Sequence, residues 1–308
     1  MRKRNCALAN LACVVLAGCA APQYSIRPTP IPVESSGVIQ IERQISAVQA
    51  REFEQQGASL IRPDERPWGF PVQSIVDRLS QVTERPSLRY RAYLYQDRDP
   101  NAAALADGRI YLSSGMLNYL AGRGSRPDEL AVVIGHELGH TVAQHLVKRY
   151  EMLQRQQLLA ALVDVGASLA TRGASQGVQG AAGLAHDAIS TLQDVADSGY
   201  SQEQELEADQ LGIRYVMRAG FNPKSALDLL QDFERFDNPS PFLRTHPYAA
   251  IRQQYLERYL TETVGSERDV ADRIRRLRGA QRLYPAGSVS WKNLQRQLEE
   301  LDRQVQKR

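Results

Sequence analysis

The sequence has little cysteine: three in 308 residues, at positions 6, 13 and 19. If the chain is cut before Cys19, as its first residues suggest, one cysteine remains and no internal disulfide can form. Stability then rests on a packed core, even in an oxidising compartment. The chain also lacks any later run of eighteen apolar residues. The longest candidate, Leu158 to Ala170, is interrupted by Asp164 and is too short to cross a bilayer. An excess of one charge is missing as well. Of 38 Lys and Arg against 35 Asp and Glu, three basic residues (Arg2, Lys3 and Arg4) and no acidic one precede Cys19, leaving 35 against 35. A balanced surface offers no global field for a polyanion, so nucleic acid is not an expected partner.

What is present begins at the N-terminus. The charged start Met1-Arg2-Lys3-Arg4 is followed by an apolar stretch from Ala7 to Ala17, broken only by Asn10, and then by Leu16-Ala17-Gly18-Cys19. This pattern reads as a secretory signal over 1–18 with a lipoprotein cleavage box, making Cys19 the acylated first residue of the mature protein. Several acyl chains would anchor it stably. Similarity to other lipoproteins, with Ala20 rather than Asp after the cysteine, implies the outer membrane, facing the periplasm.

Residues 19–37, with Pro22, Pro28, Pro30, Pro32, Ser35 and Ser36, read as an extended tether. Helical spacing over Val38 to Leu60 puts Ile41, Ile45, Val48 and Phe53 on one face, ended by Pro63 and Pro67. A short helix follows around Val72 to Gln81. Leu88–Tyr95 and Arg109–Ser113 read as strands, the latter entered through Asp107-Gly108. Ser125, with Asp128 three residues on, caps a helix expected to run from Leu130 to beyond Val147. Gly166 to Gly183, dominated by Gly, Ala, Ser and Gln, reads as a flexible excursion. Ser201-Gln202-Glu203-Gln204 is a second capping box, opening a helix that reaches Ala219 and stops at Gly220; Asn222-Pro223 starts another. The spacing assigns an α+β fold, mostly helical with a small sheet: a main domain over 38–262 and a helical extension over 263–308. In that extension Leu294, Leu298, Leu301 and Val305 form a packing stripe.

The chemistry sits in His136-Glu137-Leu138-Gly139-His140. Two imidazoles four residues apart on a helix differ by about 40° in rotation and by one turn of rise, so both reach one ion. Zinc favours imidazole nitrogen, and catalytic sites use three protein ligands with water in the fourth place. Glu137 is then placed to take a proton from that water. The bland alternative is a helix with two half-buried histidines. Glu205 and Asp209 again place two carboxylates one turn apart. Glu205 suits a third ligand, and Asp209 suits the free ring N–H of a ligand histidine. Glu203 and Glu207 have the same spacing, so spacing alone leaves the register open.

His-Glu-x-x-His followed by Glu-x-x-x-Asp, in the context Tyr200-Ser201-Gln202-Glu203-Gln204-Glu205-Leu206-Glu207-Ala208-Asp209, resembles metallopeptidase family forty-eight over about Asn101 to Arg252. Gln202 stands where family members often carry arginine. The resemblance implies a zincin-like (gluzincin) endopeptidase with one zinc ion per chain, held by His136, His140 and Glu205, with Asp209 supporting and Glu137 catalytic. It implies that Asn101-Ala102 and the segment around Arg109, Ile110 and Tyr111 lead into the edge strand of the cleft, where an extended peptide adds as a strand. It also brings His246, presented from a proline-rich loop before Pro247, and Arg252 toward the metal. His246 would either support the oxyanion or occupy the open coordination position and hold the enzyme latent. Unfolded or misassembled envelope proteins are the implied substrates, alone or beside an envelope assembly complex. The alternative is a latent zinc-binding assembly factor with chaperone-like character. His145, about 140° around the helix from His140, and His186 read as structural.

Overall fold

Glycine lets two helices of this protein touch backbone to backbone. The computed structural model describes residues 26–124, 126–171, 195, 199–234, 244–282 and 285–306. Helix α4 (Pro127–Val142) lies against α6 (Gln202–Arg218). Gly135 and Gly139 of α4, one turn apart, face Gly212 and Ala208 of α6. A Cβ on Gly139 would stand 2.6 Å from the Ala208 carbonyl oxygen, and one on Gly212 would stand 2.7 Å from Gly135 C and His136 N. Ordinary side chains hold helix axes about 8–10 Å apart, so these small residues let the His-Glu-x-x-His turn approach the Glu205–Asp209 turn. Around that contact the apolar faces close the main core, with Leu130, Ile134, Leu138 and Val142 from α4 and Leu211, Tyr215 and Val216 from α6.

A four-stranded sheet covers one side in the order β1-β2-β4-β3, comprising β1 (Ser59–Leu60), β2 (Arg91–Tyr95), β3 (Ala102–Ala104) and β4 (Arg109–Ser113). β2 and β4 run parallel, while β1 and β3 pair antiparallel at the two edges. The alternation read from sequence has a two-faced cause. Ala92, Ile110 and Leu112 face the core beside Val72, Ile75, Val76 and Leu79 of α2 (Val72–Ser80). Tyr93, Tyr95 and Tyr111 face the other way, against Phe53 of α1 (Ser36–Gln55); Phe53 stacks on Tyr111 with ring centroids 4.2 Å apart. The architecture is α+β and zincin-like, mostly helical with a small sheet.

Several expectations need correction. α1 ends at Gln55 through Gly57 (φ +73), not at the prolines, and Leu60 belongs to β1. The cap position of α4 is Arg126, with no side-chain cap bond; Pro127 is at the first helical position, and Ser125 lies outside the described residues. The long helix expected to pass Val147 without interruption is two helices, because Gln144 takes φ +55 and a new helix, α5 (His145–Thr171), starts behind it. The capping box at Ser201–Gln204 forms as read, and α6 gives way to Gly220 at φ +77. The next helix, α7 (Ser225–Phe233), starts two residues after Pro223. Helix α8 covers Ala249–Gln281. α9 (Val289–Gln306) packs on α8, with Leu298 and Leu301 buried.

The described part of the tether, residues 26–35, is extended but strapped down. The Gln210 carboxamide bonds both the N–H and the C=O of Arg27, each at 2.8 Å. Gln144 does the same to Val33 at 2.8 and 2.9 Å. One carboxamide offers a donor and an acceptor side by side, as a neighbouring strand would. Residues 1–25, including the expected signal and Cys19, lie outside the described residues, as do His186, 172–183 of the Gly-rich stretch and 235–243 of the proline-rich loop; residues 166–171 end α5. No helix among the described residues is long and apolar enough to cross a membrane.

Candidate metal centre

α4 aims His136 and His140 toward α6, and α6 returns Glu205, with no exposed surface, to the same point. The turn before α8 supplies His246. His136 Nε2 lies 3.0 Å from His140 Nε2, 3.1 Å from His246 Nδ1 and 3.4 Å from Glu205 Oε2; His140 Nε2 is 3.4 Å from Glu205 Oε1. One ligand atom from each of the four residues lies within 4.8 Å of the others, close enough for the group to share one metal ion. Three imidazole nitrogens and a carboxylate are also the donor types zinc prefers. A catalytic site normally uses three protein ligands and a water, and here His246 is a fourth candidate donor.

The surrounding polar groups aim the ligands. Asp209 Oδ1 accepts from His136 Nδ1 at 2.8 Å, which leaves the His136 Nε2 lone pair facing the centre. Arg252 forks onto Asp209 and lies 2.8 Å from Glu205 Oε2. Burial opposes charge on Glu205, yet Arg252, His246 and His136 hold its carboxyl well below the usual range. Burial and Arg252 both oppose a proton on His136, yet the carboxylates of Asp209 and Glu205 carry it up to about 9. Burial pushes Glu137 upward, against the pull of His246 and His136, toward the range a general base needs near neutral pH. Its Oε2 accepts from the Ala104 N–H at 2.9 Å, while Oε1, 3.3 Å from His246 Nε2, accepts no hydrogen bond.

Glu137 and His246 look into a cleft of about 490 Å³ lined also by Phe53, Asn101, Ala102, Ala103, Tyr200 and Arg244. The strand bordering this cleft is β3. The expectation for Arg109, Ile110 and Tyr111 is therefore corrected: they lie on β4, paired to β2 on one side and β3 on the other, with Ile110 and Tyr111 buried. Their main chain has no free side to offer a peptide. Arg109 is spent on Asp107 and the Ser46 carbonyl. At the true edge the Ala102 amide turns from β4 to Asn101 Oδ1 and the Ala104 amide turns to Glu137. Arg252 lies beside the donors as the resemblance implies, 2.8 Å from Glu205 Oε2 and 3.3 Å from His136 Nδ1.

Sequence reasoning missed two neighbours of His140. Tyr200 stacks on it with centroids 3.7 Å apart. His145, read as structural, places Nδ1 2.8 Å from His140 Nδ1 and Nε2 3.1 Å from Glu207 Oε2. The break at Gln144 invalidates the helical-wheel angle, and a five-residue spacing carries no signal that such a break is coming. The open register resolves by burial: Glu203 is exposed, Glu207 meets His145, and Glu205 and Asp209 face inward.

Comparison with known proteins finds relatives of this chain. The chain is 32% identical to the beta-barrel assembly-enhancing protease of Yersinia pestis over 180 residues, 57% of this chain and 35% of that protein. It is 25% identical to metalloprotease LoiP of Escherichia coli over 207 residues, 66% of this chain and 75% of that one. It is 24% identical to the mitochondrial metalloendopeptidase OMA1 of Schizosaccharomyces pombe over 204 residues, 65% and 55%. The matched stretch is thus about a third of the Yersinia relative's length. Residues 70–260, which contain every donor of the cluster, match the model of peptidase family M48, whose members use zinc, and the chain belongs to that family.

Proposed function

We propose that this chain is a zinc metalloendopeptidase of the bacterial cell envelope, held to the outer membrane through acylated Cys19, that cleaves misfolded or stalled envelope proteins. The observation that carries the reading is the convergence of His136, His140, Glu205 and His246 on one point, with the free oxygen of Glu137 beside it at the wall of an edge-strand cleft. The names of the relatives, a beta-barrel assembly-enhancing protease and metalloprotease LoiP, support the envelope setting.

His136, His140 and Glu205 would hold the zinc, which when bound would supply Lewis acidity toward a carbonyl oxygen and a water molecule, and Asp209 and Arg252 keep His136 and Glu205 in line. Glu137 Oε1 takes the water's proton and returns it to the leaving amine. The substrate lies extended along Ala102–Ala104, replacing Asn101 Oδ1 and Glu137 Oε2 on the Ala102 and Ala104 amides, with little demand on its sequence. Because His246 Nδ1 is a fourth candidate donor, we read this arrangement as the latent one, with cleavage requiring the turn at His246 to withdraw.

Zinc content and casein cleavage of the chain from Ala20 onward test this, comparing the parent with Glu137→Gln, Glu205→Ala and His246→Ala. Stoichiometric zinc, cleavage lost with Glu137→Gln, zinc lost with Glu205→Ala and cleavage raised by His246→Ala are the expected results. Zinc without cleavage in any variant would favour the second reading, a zinc-binding assembly factor, for which the closed His246 position is the supporting observation. No zinc in the parent would end the metalloprotease reading. Loss of membrane fractionation with Cys19→Ala tests the anchor.

A further inference from the structure

His136 and His140 each have an outward nitrogen with a partner at hydrogen-bonding distance. For His136 that partner is Asp209. For His140 it is another histidine, backed by a carboxylate, and the chain bends to deliver it. Had α4 continued, residue 145 would have pointed about 140° away from His140. Instead Gln144 takes φ +55, a region that residues with a Cβ seldom enter, and α5 starts at His145 with its ring turned back. The bend is held from outside. The Gln144 carboxamide spans the main chain of Val33 and donates to Glu42 Oε1 at 2.9 Å, and Glu42 is itself gripped at two points by buried Arg85, at 2.7 and 3.0 Å. A disfavoured backbone angle secured by a buried polar network indicates that the placement of the next residue, His145, matters.

We infer that His145 and Glu207 are positioning residues for the zinc ligand His140, forming a Glu207–His145–His140 chain that fixes which nitrogen of His140 faces the metal. The hydrogen-bond directions leave one consistent arrangement. A carboxylate only accepts, so His145 Nε2, 3.1 Å from Glu207 Oε2, carries the proton. A neutral ring has a single N–H, so His145 Nδ1 accepts. The facing His140 Nδ1, at 2.8 Å, must donate, and His140 Nε2 presents its lone pair to the centre. A His145 ring that donated at both nitrogens would drive the His140 proton to the metal side. The ring is wholly buried, which excludes water as a substitute acceptor, while Glu207 stays partly exposed at the surface. Tyr200 stacks on the face of the His140 ring and limits its rotation, so the hydrogen bond sets the remaining freedom.

The inference rests on the metal-centre reading and is tested on the chain from Ala20 onward, with zinc affinity measured by competition with a chromophoric chelator. The melting temperature of the zinc-free protein is recorded alongside. Loss of an orienting partner of this kind typically weakens metal binding about 10–100-fold, and that fall is expected for His145→Ala, alongside a lower zinc-free melting temperature from truncating the buried ring. Asn at position 145 offers a carboxamide oxygen where Nδ1 stands, so His145→Asn is expected to recover most of the affinity. Glu207→Ala, a change at a partly exposed site that leaves the core intact, tests the chain should His145→Ala fail to fold, and it is expected to weaken zinc binding as well. Parent-like affinity in both alanine variants would overturn the inference while leaving the metal centre standing. A His145→Asn variant no better than His145→Ala, with both losses matched by the zinc-free melting temperature, would make the role merely structural and overturn it too. A parent without zinc would remove both readings together.

Discussion

Arg252 meets Asp209 as a fork, Nε to Oδ2 and Nη2 to Oδ1, each at 2.8 Å. The pair is fully enclosed, and the third guanidinium nitrogen lies 2.8 Å from Glu205 Oε2, so one cation serves two carboxylates behind the metal ligands. A planar fork matched to a carboxylate is something lysine cannot reproduce.

Arg252→Ala is therefore expected to destabilise the fold by about 3–5 kcal/mol, because it strands buried carboxylates rather than removing a favourable contact alone. Arg252→Lys should keep the charge, lose the fork, and fall between parent and alanine variant. Urea unfolding of the zinc-free proteins measures both. An alanine variant as stable as the parent would show that the pair contributes nothing net.

Gly212→Ala should push α6 away from α4, since its methyl group would meet Gly135 C and His136 N at 2.7 Å, and backbone cannot rotate aside. Overpacking of this kind typically costs about 1–3 kcal/mol, and here it should also lower zinc affinity by displacing Glu205. Gly279→Ala, on α8 with no atom within 4 Å of the added group, is the contrast. Relief of glycine's entropy cost should leave it neutral or stabilised by about 0.4–1 kcal/mol. Thermal unfolding and zinc titration of the two variants check the pair.

Chelation should lower the melting temperature of the parent. A ligand that binds only the folded state adds stability in proportion to its occupancy, roughly 2.7 kcal/mol at a hundredfold excess over its dissociation constant. Glu205→Ala removes a donor and should melt at the same temperature with and without chelator. A parent insensitive to chelator would argue that these donors hold no ion.

Arg109→Ala is expected to leave kcat/KM for an unfolded protein substrate within about twofold and to cost at most about 1 kcal/mol, as for other partly exposed ion pairs. The reason is its place on an inner strand, tied to Asp107 and to the Ser46 carbonyl. A large rise in KM would return Arg109 to the substrate path and undo the assignment of β3 as the binding edge.

Residues brought together by local spacing were legible in the sequence. His136 and His140 share a face because a helix advances one turn in about four residues, and Glu205 with Asp209 follows the same rule behind a capping box that forms as read. The tyrosines of β2 and β4 announced strands by alternation. Choices among equivalent spacings were not legible. Glu203, Glu205 and Glu207 differ only in which side of α6 is buried, and that is settled by Gly139 meeting Ala208 across the interface.

What the sequence alone determined is the chemistry available: two helical pairs of ligand-type residues, a carboxylate directly after the first histidine, and nearly balanced charge, with 38 Lys and Arg against 35 Asp and Glu. Tertiary structure decided the rest. It made β3 the edge instead of β4, set His246 beside the other donors, placed Arg252 against Glu205 and Asp209 and turned His145 onto His140. Each of these depends on contacts between segments far apart in the chain, or on a single backbone angle at Gln144 that a distant strap and a buried Arg85–Glu42 pair hold in place. Periodicity describes how neighbours in sequence are arranged and carries no term for such long-range restraints, so the site's ligands could be read from the chain while its geometry could not.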